Sequence, residues 1–167
     1  MNSMDLTLIK NITDLTYPTD QTDLLMIAKF DITGQDFKKA GEVSFEVKNR
    51  LKRLGLPPDI IRRIATATYE AELNVVIYAQ KGKVSVCIKN QCVDVTFDDR
   101  GPGIPNIQRA MQEGYSTAPP YVKHLGYGSG MGLPNIKKNT DWMDIQSVVD
   151  QGTTLRFKVN LKKAVSR

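Results

Sequence analysis

The sequence is poor in the residues that build disulfide frameworks, metal centres and membrane spans. It has two cysteines and one histidine in 167 residues, and no second cysteine pair or suitably spaced histidine accompanies Cys87 and Cys92. A zinc site is therefore not expected, and both thiols should be reduced. No apolar run approaches the roughly 20 residues that span a bilayer, and the first residues lack the apolar core of a signal peptide. We therefore expect a cytoplasmic protein without a membrane partner.

The sequence has no strong excess of acidic or of basic residues. The net charge is +5, and 41% hydrophobic with 25% charged residues is ordinary for a globular protein. The positive charge concentrates between residues 38 and 63. That segment has neither aromatic interleaving nor a nucleic-acid-binding motif, so we do not expect a nucleic-acid partner. A solvated helix face and a docking face for an acidic protein remain as interpretations.

Hydrophobic periodicity predicts one domain over residues 23–163, preceded at residues 1–22 by a polar arm or an added edge strand. The spacing predicts strands at 24–32, 83–89, 92–98, 143–149 and 153–161, and helices at 35–54, 59–80, near 106–113 and after Leu133. Residues 100–132 otherwise form a long irregular stretch, which is typical of a lid. The expected fold class is α+β, a two-layer sandwich of a mainly antiparallel mixed sheet with helices on one face.

A hairpin turn at Asn90-Gln91 sets a register that we can predict residue by residue. In that register every apolar side chain falls on one face, and Asp99 points to the covered face while Asp98 points out. Cys87 lies opposite Asp94, so no disulfide is expected. The predicted opposing pairs are Lys89 with Cys92, Ile88 with Val93, Val86 with Val95, and Val84 with Phe97.

Two polar residues lie one turn apart on the predicted helix over 59–80. Glu70 and Asn74 share a helix face at the margin of its apolar stripe. A carboxamide oxygen can bind Mg²⁺, and a carboxylate one turn earlier can accept a proton from a hydroxyl. A plain solvent-facing pair is the alternative.

The next strand ends in an acid and two glycines. An acid directed between the sheet and the helices needs a hydrogen-bond donor, and the amine of an adenine is such a donor for Asp99. Gly101 and Gly103 let the backbone turn closely around a flat ring. A simple Asp-x-Gly turn is the alternative.

The third segment is a glycine-rich loop that leads into a helix. Gly128, Gly130 and Gly132 offer unobstructed backbone N–H groups, and the helix N-terminus favours anions. The loop does not directly follow a strand, which argues against a Rossmann site, and it lacks the Gly-Lys-Ser/Thr of a Walker loop. A merely flexible loop is the alternative.

In this order, the three segments resemble the N, G1 and G2 boxes of the GHKL (Bergerat-fold) ATPases, which include gyrase, Hsp90, histidine kinases and anti-sigma kinases. The chain is most similar to the RsbT-type switch serine/threonine kinases and the anti-sigma regulatory factor kinases. The resemblance covers about residues 24–160. It rests on Ile64-Ala65-Thr66-Ala67, on Glu70, on Asn74 through Ala79, on Asp99 through Thr117, on Gly132-Leu133-Pro134 and on Gly152-Thr153-Thr154.

The resemblance implies ATP and Mg²⁺ as cofactors and a role for each matching residue. Glu70 is implied as the general base for a substrate hydroxyl, and Asn74 as the Mg²⁺ ligand. Asp99 is implied to hold the adenine amine, with Thr153 supporting the ring. The implied glycines are Gly101 and Gly103 at the adenine pocket and Gly128, Gly130 and Gly132 around the phosphates, under a lid at about 114–130.

Two features depart from the family pattern. Tyr78 stands where many members of the superfamily carry histidine, although tyrosine suits the switch kinases. The lid segment from Ala118 to His124 is longer than expected, which leaves its phosphate contacts open. We expect His124 to be an exposed loop residue.

The resemblance also implies that the substrate is a STAS-domain protein. Phosphorylation adds about two negative charges to such a protein and can therefore switch its partners. An anti-sigma factor that sequesters a sigma factor, with nucleotide setting its conformation, is the second interpretation. A stand-alone histidine-kinase domain is the third and weakest, since no helical segment with a phosphoacceptor histidine precedes residue 60. Neither monomer nor homodimer is favoured.

Overall fold

The computed structural model describes residues 24–161, and the arm predicted at residues 1–22 lies outside them. The strands are β1 (Leu24–Thr33), β2 (Lys81–Lys89), β3 (Cys92–Asp99), β4 (Trp142–Val148) and β5 (Gly152–Asn160). The helices are α1 (Glu42–Arg53), α2 (Pro58–Tyr78), α3 (Ile107–Ala110), α4 (Pro120–His124) and α5 (Gly132–Asn139). Within the described residues, every helix is too short or too polar to cross a membrane.

The strands form one sheet in the order β1-β2-β3-β5-β4. Neighbouring strands pair antiparallel throughout the described residues. The predicted hairpin register is confirmed, because Ile88 lies opposite Val93 and Val84 lies opposite Phe97. Cys87 lies opposite Asp94, as predicted, and is a free thiol.

The helices cover one face of this sheet, and α2 lies between α1 and α5. Successive side chains of a strand point to opposite faces of the sheet, so every second residue of each strand lies on the covered face, against the helices. The predicted α+β two-layer sandwich is therefore confirmed. The largest fully buried apolar side chains are Phe97, Phe157, Leu51, Ile64, Ile88 and Ile136.

The helix predicted over residues 35–54 begins only at Glu42, so its predicted start was wrong. Phe37 and Ala40 continue the helical spacing in the sequence, yet they belong to turns. They pack between the main core and a smaller apolar cluster made of Leu73, Ile77, Ala118 and Val122. Gly41 then adopts a left-handed conformation with φ of 99°. That conformation breaks the chain direction, and α1 starts after it.

Candidate functional site

A cavity of about 560 Å³ lies beside α2, at the ends of β3 and β5 and under the loops of residues 102–130. A cavity of this size fits a drug-sized or nucleotide-sized ligand. Eight of the nine predicted site residues line it: Glu70, Asn74, Asp99, Gly103, Gly128, Gly130, Gly132 and Thr153. Gly101 lies behind this wall, where an added Cβ would be 3.0 Å from the Asp99 Oδ1 atom and 3.2 Å from Ala79. Gly101 therefore allows the strand end to pack closely rather than contacting a ligand.

Helix α2 presents Glu70 and Asn74 towards the start of α5. The side-chain amide of Asn135 donates a hydrogen bond of 2.7 Å to Glu70 Oε1. Opposite them, a Cβ at Gly132 would lie 3.3 Å from Asn74 Oδ1 and 3.6 Å from Glu70 Oε2. The missing side chain at residue 132 therefore keeps the space between these oxygens and α5 open. Nothing in the sequence pattern singles out Asn135.

The oxygens in this space fit a Mg²⁺ ion that is held mainly by phosphate and water. Mg²⁺ usually takes one or two protein ligands together with substrate phosphates. Asn74 Oδ1 provides one such neutral oxygen beside the open space at Gly132. Within the described residues, no three His, Cys, Asp or Glu side chains cluster into a protein metal cage.

Asp99 is a half-buried carboxylate at the end of β3. The backbone N–H of Thr153 donates to its Oδ1 atom at 3.2 Å. Burial raises the pKa of Asp99 above 3.8, and backbone hydrogen bonds from Thr153 and Gly101 only partly oppose that rise. Asp98, in contrast, is exposed and accepts a hydrogen bond of 2.9 Å from Thr154. The predicted orientation of the two acids is confirmed, and Asp99 is available to accept a hydrogen bond from a ligand amine.

A hydroxyl pair joins the strands and the loop below Asp99. The Ser147 and Thr153 hydroxyl oxygens lie 2.8 Å apart, on neighbouring strands. Ser147 also accepts a hydrogen bond of 2.8 Å from the backbone N–H of Ile104. Ser147 thus ties the loop after β3 to Thr153, a role that no sequence signal predicts for a serine near the end of a strand.

The loop of residues 114–130 is closed at its base and packed at its centre. The backbone N–H of Gly114 donates to the carbonyl of Gly130 at 3.0 Å. Between them, α4 buries Val122 completely against Leu73 and Ile77 of α2. The predicted lid therefore contains a short helix that nothing in the apolar spacing predicts, although its Pro119-Pro120 start is a known helix-initiating pattern.

Further contacts hold this lid against the segment between β1 and α1. The Tyr121 hydroxyl donates to Gln35 Oε1 at 2.5 Å, and the rings of Phe37 and Tyr127 stack with centroids 5.6 Å apart. His124 is exposed and does not line the cavity, as expected, but it is the last residue of α4 rather than a loop residue. None of the four contact residues is marked by a sequence motif.

Arg109 supplies the positive charge on the cavity wall. Among the described residues that line the cavity, it is the one with a basic side chain. Its guanidinium carbon lies 4.7 Å from the centroid of the Tyr115 ring, a cation–π distance that orients the side chain. No spacing in the sequence distinguishes Arg109 from the other arginines.

This cavity can be compared with those of known proteins. The chain is 33% identical over 116 residues to the serine/threonine-protein kinase RsbT of Bacillus subtilis, covering 65% of this chain and 79% of the relative. It is 30% identical over 112 residues to an anti-sigma F factor of Geobacillus kaustophilus, covering 64% of this chain and 73% of the relative.

A crystal structure of the RsbU and RsbW domains of a Mycobacterium tuberculosis protein matches with a TM-score of 0.54 at 17% identity. The match covers 82% of this chain and 33% of the other, and it concerns the fold alone. Residues 59–163 match the family of histidine kinase-, DNA gyrase B- and HSP90-like ATPases. The chain therefore belongs to this family of ATPases, and the cavity beside α2 is its candidate ATP site.

Proposed function

We propose that this protein transfers the γ-phosphate of Mg²⁺-bound ATP to a serine or threonine of a STAS-domain protein in a partner-switching module. The observation that carries the proposal is the Glu70 carboxylate. It lines the cavity one turn before Asn74, and only one of its two oxygens is hydrogen-bonded to Asn135. A carboxylate in this position can accept the proton of an acceptor hydroxyl, which a simple nucleotide-binding module does not require.

The remaining site residues supply binding and orientation. Asp99 accepts a hydrogen bond from the adenine amine, and Thr153 holds Asp99 in place through its backbone N–H. The backbone N–H groups of Gly132, the first residue of α5, and of Gly130, just before the helix, would bind the phosphates. Asn74 would hold Mg²⁺, and the ion would neutralise phosphate charge. As the acceptor oxygen bonds to the γ-phosphorus and ADP leaves, Glu70 takes the hydroxyl proton.

The test is phosphotransfer from Mg²⁺-ATP to purified single-domain STAS proteins, with the modified residue located by mass spectrometry. We expect phosphoserine or phosphothreonine, and we expect Glu70→Gln to slow transfer by about 10²- to 10⁴-fold while ATP affinity is retained. Glu46→Gln is the matched control, since Glu46 lies on α1 outside the cavity. Full transfer by the Glu70 variant would remove the proposed base.

An anti-sigma function is the second candidate, and the similarity to anti-sigma F factors favours it. It predicts that purified sigma subunits bind the protein in a nucleotide-dependent way. Binding of a sigma subunit without phosphorylation of any STAS protein would favour this function over the kinase.

A further inference from the structure

A second groove, of about 560 Å³, lies on the outer surface between α1 and α2. Its rim carries Lys48 and Lys52 of α1 and Arg62 of α2. The two lysines are one turn apart and therefore share a helix face. No acidic residue is among the described residues that line the groove, so the rim is purely cationic. The apolar side chains that line it are Leu56, Pro58, Ile61 and Ala65.

Two exposed aromatic side chains extend this groove towards the ATP site. Phe45 precedes Lys48 by three residues on the same face of α1, and 61% of its surface is exposed. On α2, Tyr69 follows the groove residue Thr66 by three residues and is 37% exposed. Large exposed apolar side chains next to a groove are typical of interaction surfaces.

Tyr69 joins the groove to the cavity. It lines the ATP cavity, and its ring lies 3.4 Å from where a Cβ of Gly41 would be, at the start of α1. Thr66, in the groove, is one turn before Glu70 on α2. A protein segment lying in the groove would therefore end beside the proposed general base.

Charge selects the occupant of this surface. A cationic rim above an apolar floor fits a helix that carries carboxylates on both sides of an apolar residue. A second copy of this chain is disfavoured, because each copy carries a net charge of +5. Nucleic acid offers phosphates for the rim but no aliphatic side chain for the floor.

We propose that the docking groove, defined by Phe45, Lys48, Lys52, Arg62 and Tyr69, binds an acidic amphipathic helix of the phosphoacceptor protein. The bound helix holds the acceptor hydroxyl near Glu70. This assignment rests on the proposed kinase function, since it names how that kinase recognises its substrate. It also gives the basic segment of residues 38–63 a docking role rather than a purely solvating one.

The test compares Lys48→Glu/Lys52→Glu with Lys137→Glu/Lys138→Glu. Both double variants reverse the charge of two exposed lysines on one helix, so they are matched in charge and in exposure. Purified single-domain STAS proteins are the probes, in phosphotransfer assays and in binding assays at low and high salt. Nucleotide affinity and thermal melting are measured in parallel, and Arg62→Glu tests the rim from α2.

We expect the groove variants to raise KM for the STAS protein by about 10- to 100-fold, with kcat and ATP affinity unchanged, because rim charges act mainly on association. The control variant should match the wild type. Equal KM values in the groove and control variants would overturn the docking proposal. The proposal would also be overturned if no STAS protein binds the wild type. A third contrary result would be groove variants that still bind STAS proteins normally and lose only self-association or the binding of a 20-nucleotide oligonucleotide.

The two proposals fail in different ways. If a STAS protein binds through the groove but no phosphate is transferred, docking stands and the kinase function is wrong. If phosphate is transferred equally by every groove variant, the kinase function stands and the docking site is elsewhere.

Discussion

The two flanks of α2 carry the same type of side chain in opposite conditions. On the flank facing α1, Glu72 is 1% exposed and accepts three backbone hydrogen bonds. The donors are Gly41 at 3.0 Å, Val43 at 3.0 Å and Ser44 at 2.9 Å. On the flank facing α5, Glu70 is only partly buried, and Asn135 is its one hydrogen-bond donor among the described residues.

The difference separates a structural carboxylate from one that is free to react. Glu72 satisfies the first N–H groups of α1, which has no side-chain cap of its own, and a negative charge there is favoured by the helix dipole. Both of its oxygens accept hydrogen bonds from the start of α1, so neither is left for a ligand or a substrate. Glu70 keeps an oxygen available towards the open space at Gly132.

The largest expected effect is a loss of stability on substitution of Glu72, on the flank of α2 that faces α1. Glu72→Ala leaves three N–H groups without their acceptor, so we expect it to lower the free energy of unfolding by about 3–5 kcal/mol. Urea denaturation followed by circular dichroism measures the loss. Glu70→Ala is the matched control and should lower it by less than about 1 kcal/mol. Equal losses in the two variants would mean that the two flanks do not differ as described.

Asp99 is intermediate between Glu72 and Glu70, because it is half-buried and accepts hydrogen bonds from two backbone donors. We expect Asp99→Asn to weaken ATP binding by about 10- to 100-fold, since a hydrogen bond to a charged group contributes about 1.5–3 kcal/mol. Calorimetric titration of ATP into both proteins measures the effect. An unchanged affinity would contradict the adenine assignment, and Asp98→Asn, on the exposed side, should bind ATP like the wild type.

The pH dependence of Asp99 adds a second measurement. Burial raises the pKa of Asp99 above 3.8, so between 3.8 and the raised value the folded protein binds more protons than the unfolded chain. Its contribution to stability is therefore present below 3.8 and is lost as the pH rises through that window. ATP affinity has the opposite sign, because the carboxylate is the acceptor, and it should fall on acidification in the wild type but not in Asp99→Asn.

The sheet and the orientation of the acids could be predicted, because both follow from local alternation and one turn. The register of Val84 against Phe97 determines that Asp99 points inwards. The start of α1 could not be predicted, because it depends on Glu72, about 30 residues further along the chain. Local propensity contains no information about such a distant acceptor.

A residue of the candidate site could be predicted from the sequence only where it lies in one of the three recognised motifs. Glu70, Asn74 and Asp99 lie in such motifs, and all three line the cavity. Asn135 and Ser147 were not predictable, since each acts through hydrogen bonds to residues that are distant along the chain or on a neighbouring strand. The helix in the lid depends likewise on the apolar surface that α2 offers.

Two glycines of the lid show whether ATP binding on the Glu70 flank of α2 depends on close packing of the lid. Gly126 and Gly128 both have positive φ, 88° and 74°, but only a side chain at 128 would collide, with the Cβ of Ala118. Alanine at either position costs about 1–2 kcal/mol of backbone strain, and overpacking adds about 1–3 kcal/mol at residue 128. We expect Gly128→Ala, more than Gly126→Ala, to speed hydrogen exchange across α4 and weaken ATP binding. Equal effects would mean that the lid does not pack as closely as the contact at Ala118 requires.

The smallest expected effect is at Gly132, where stability and binding should change in opposite directions. Gly132 has no positive φ and begins α5, so alanine there is expected to stabilise the protein by about 0.4–1 kcal/mol. The added Cβ, however, would be 3.3 Å from Asn74 Oδ1 and should lower the Mg²⁺-dependent part of ATP affinity several-fold. Titrations of ATP in the presence of Mg²⁺ and in the presence of EDTA separate that part.

In an Asn74→Ala background, Gly132→Ala should have no further effect on the Mg²⁺ dependence of ATP affinity, since the oxygen that the Cβ crowds is gone. An equal loss of affinity in EDTA would mean that Gly132 acts on the phosphates and not through Asn74.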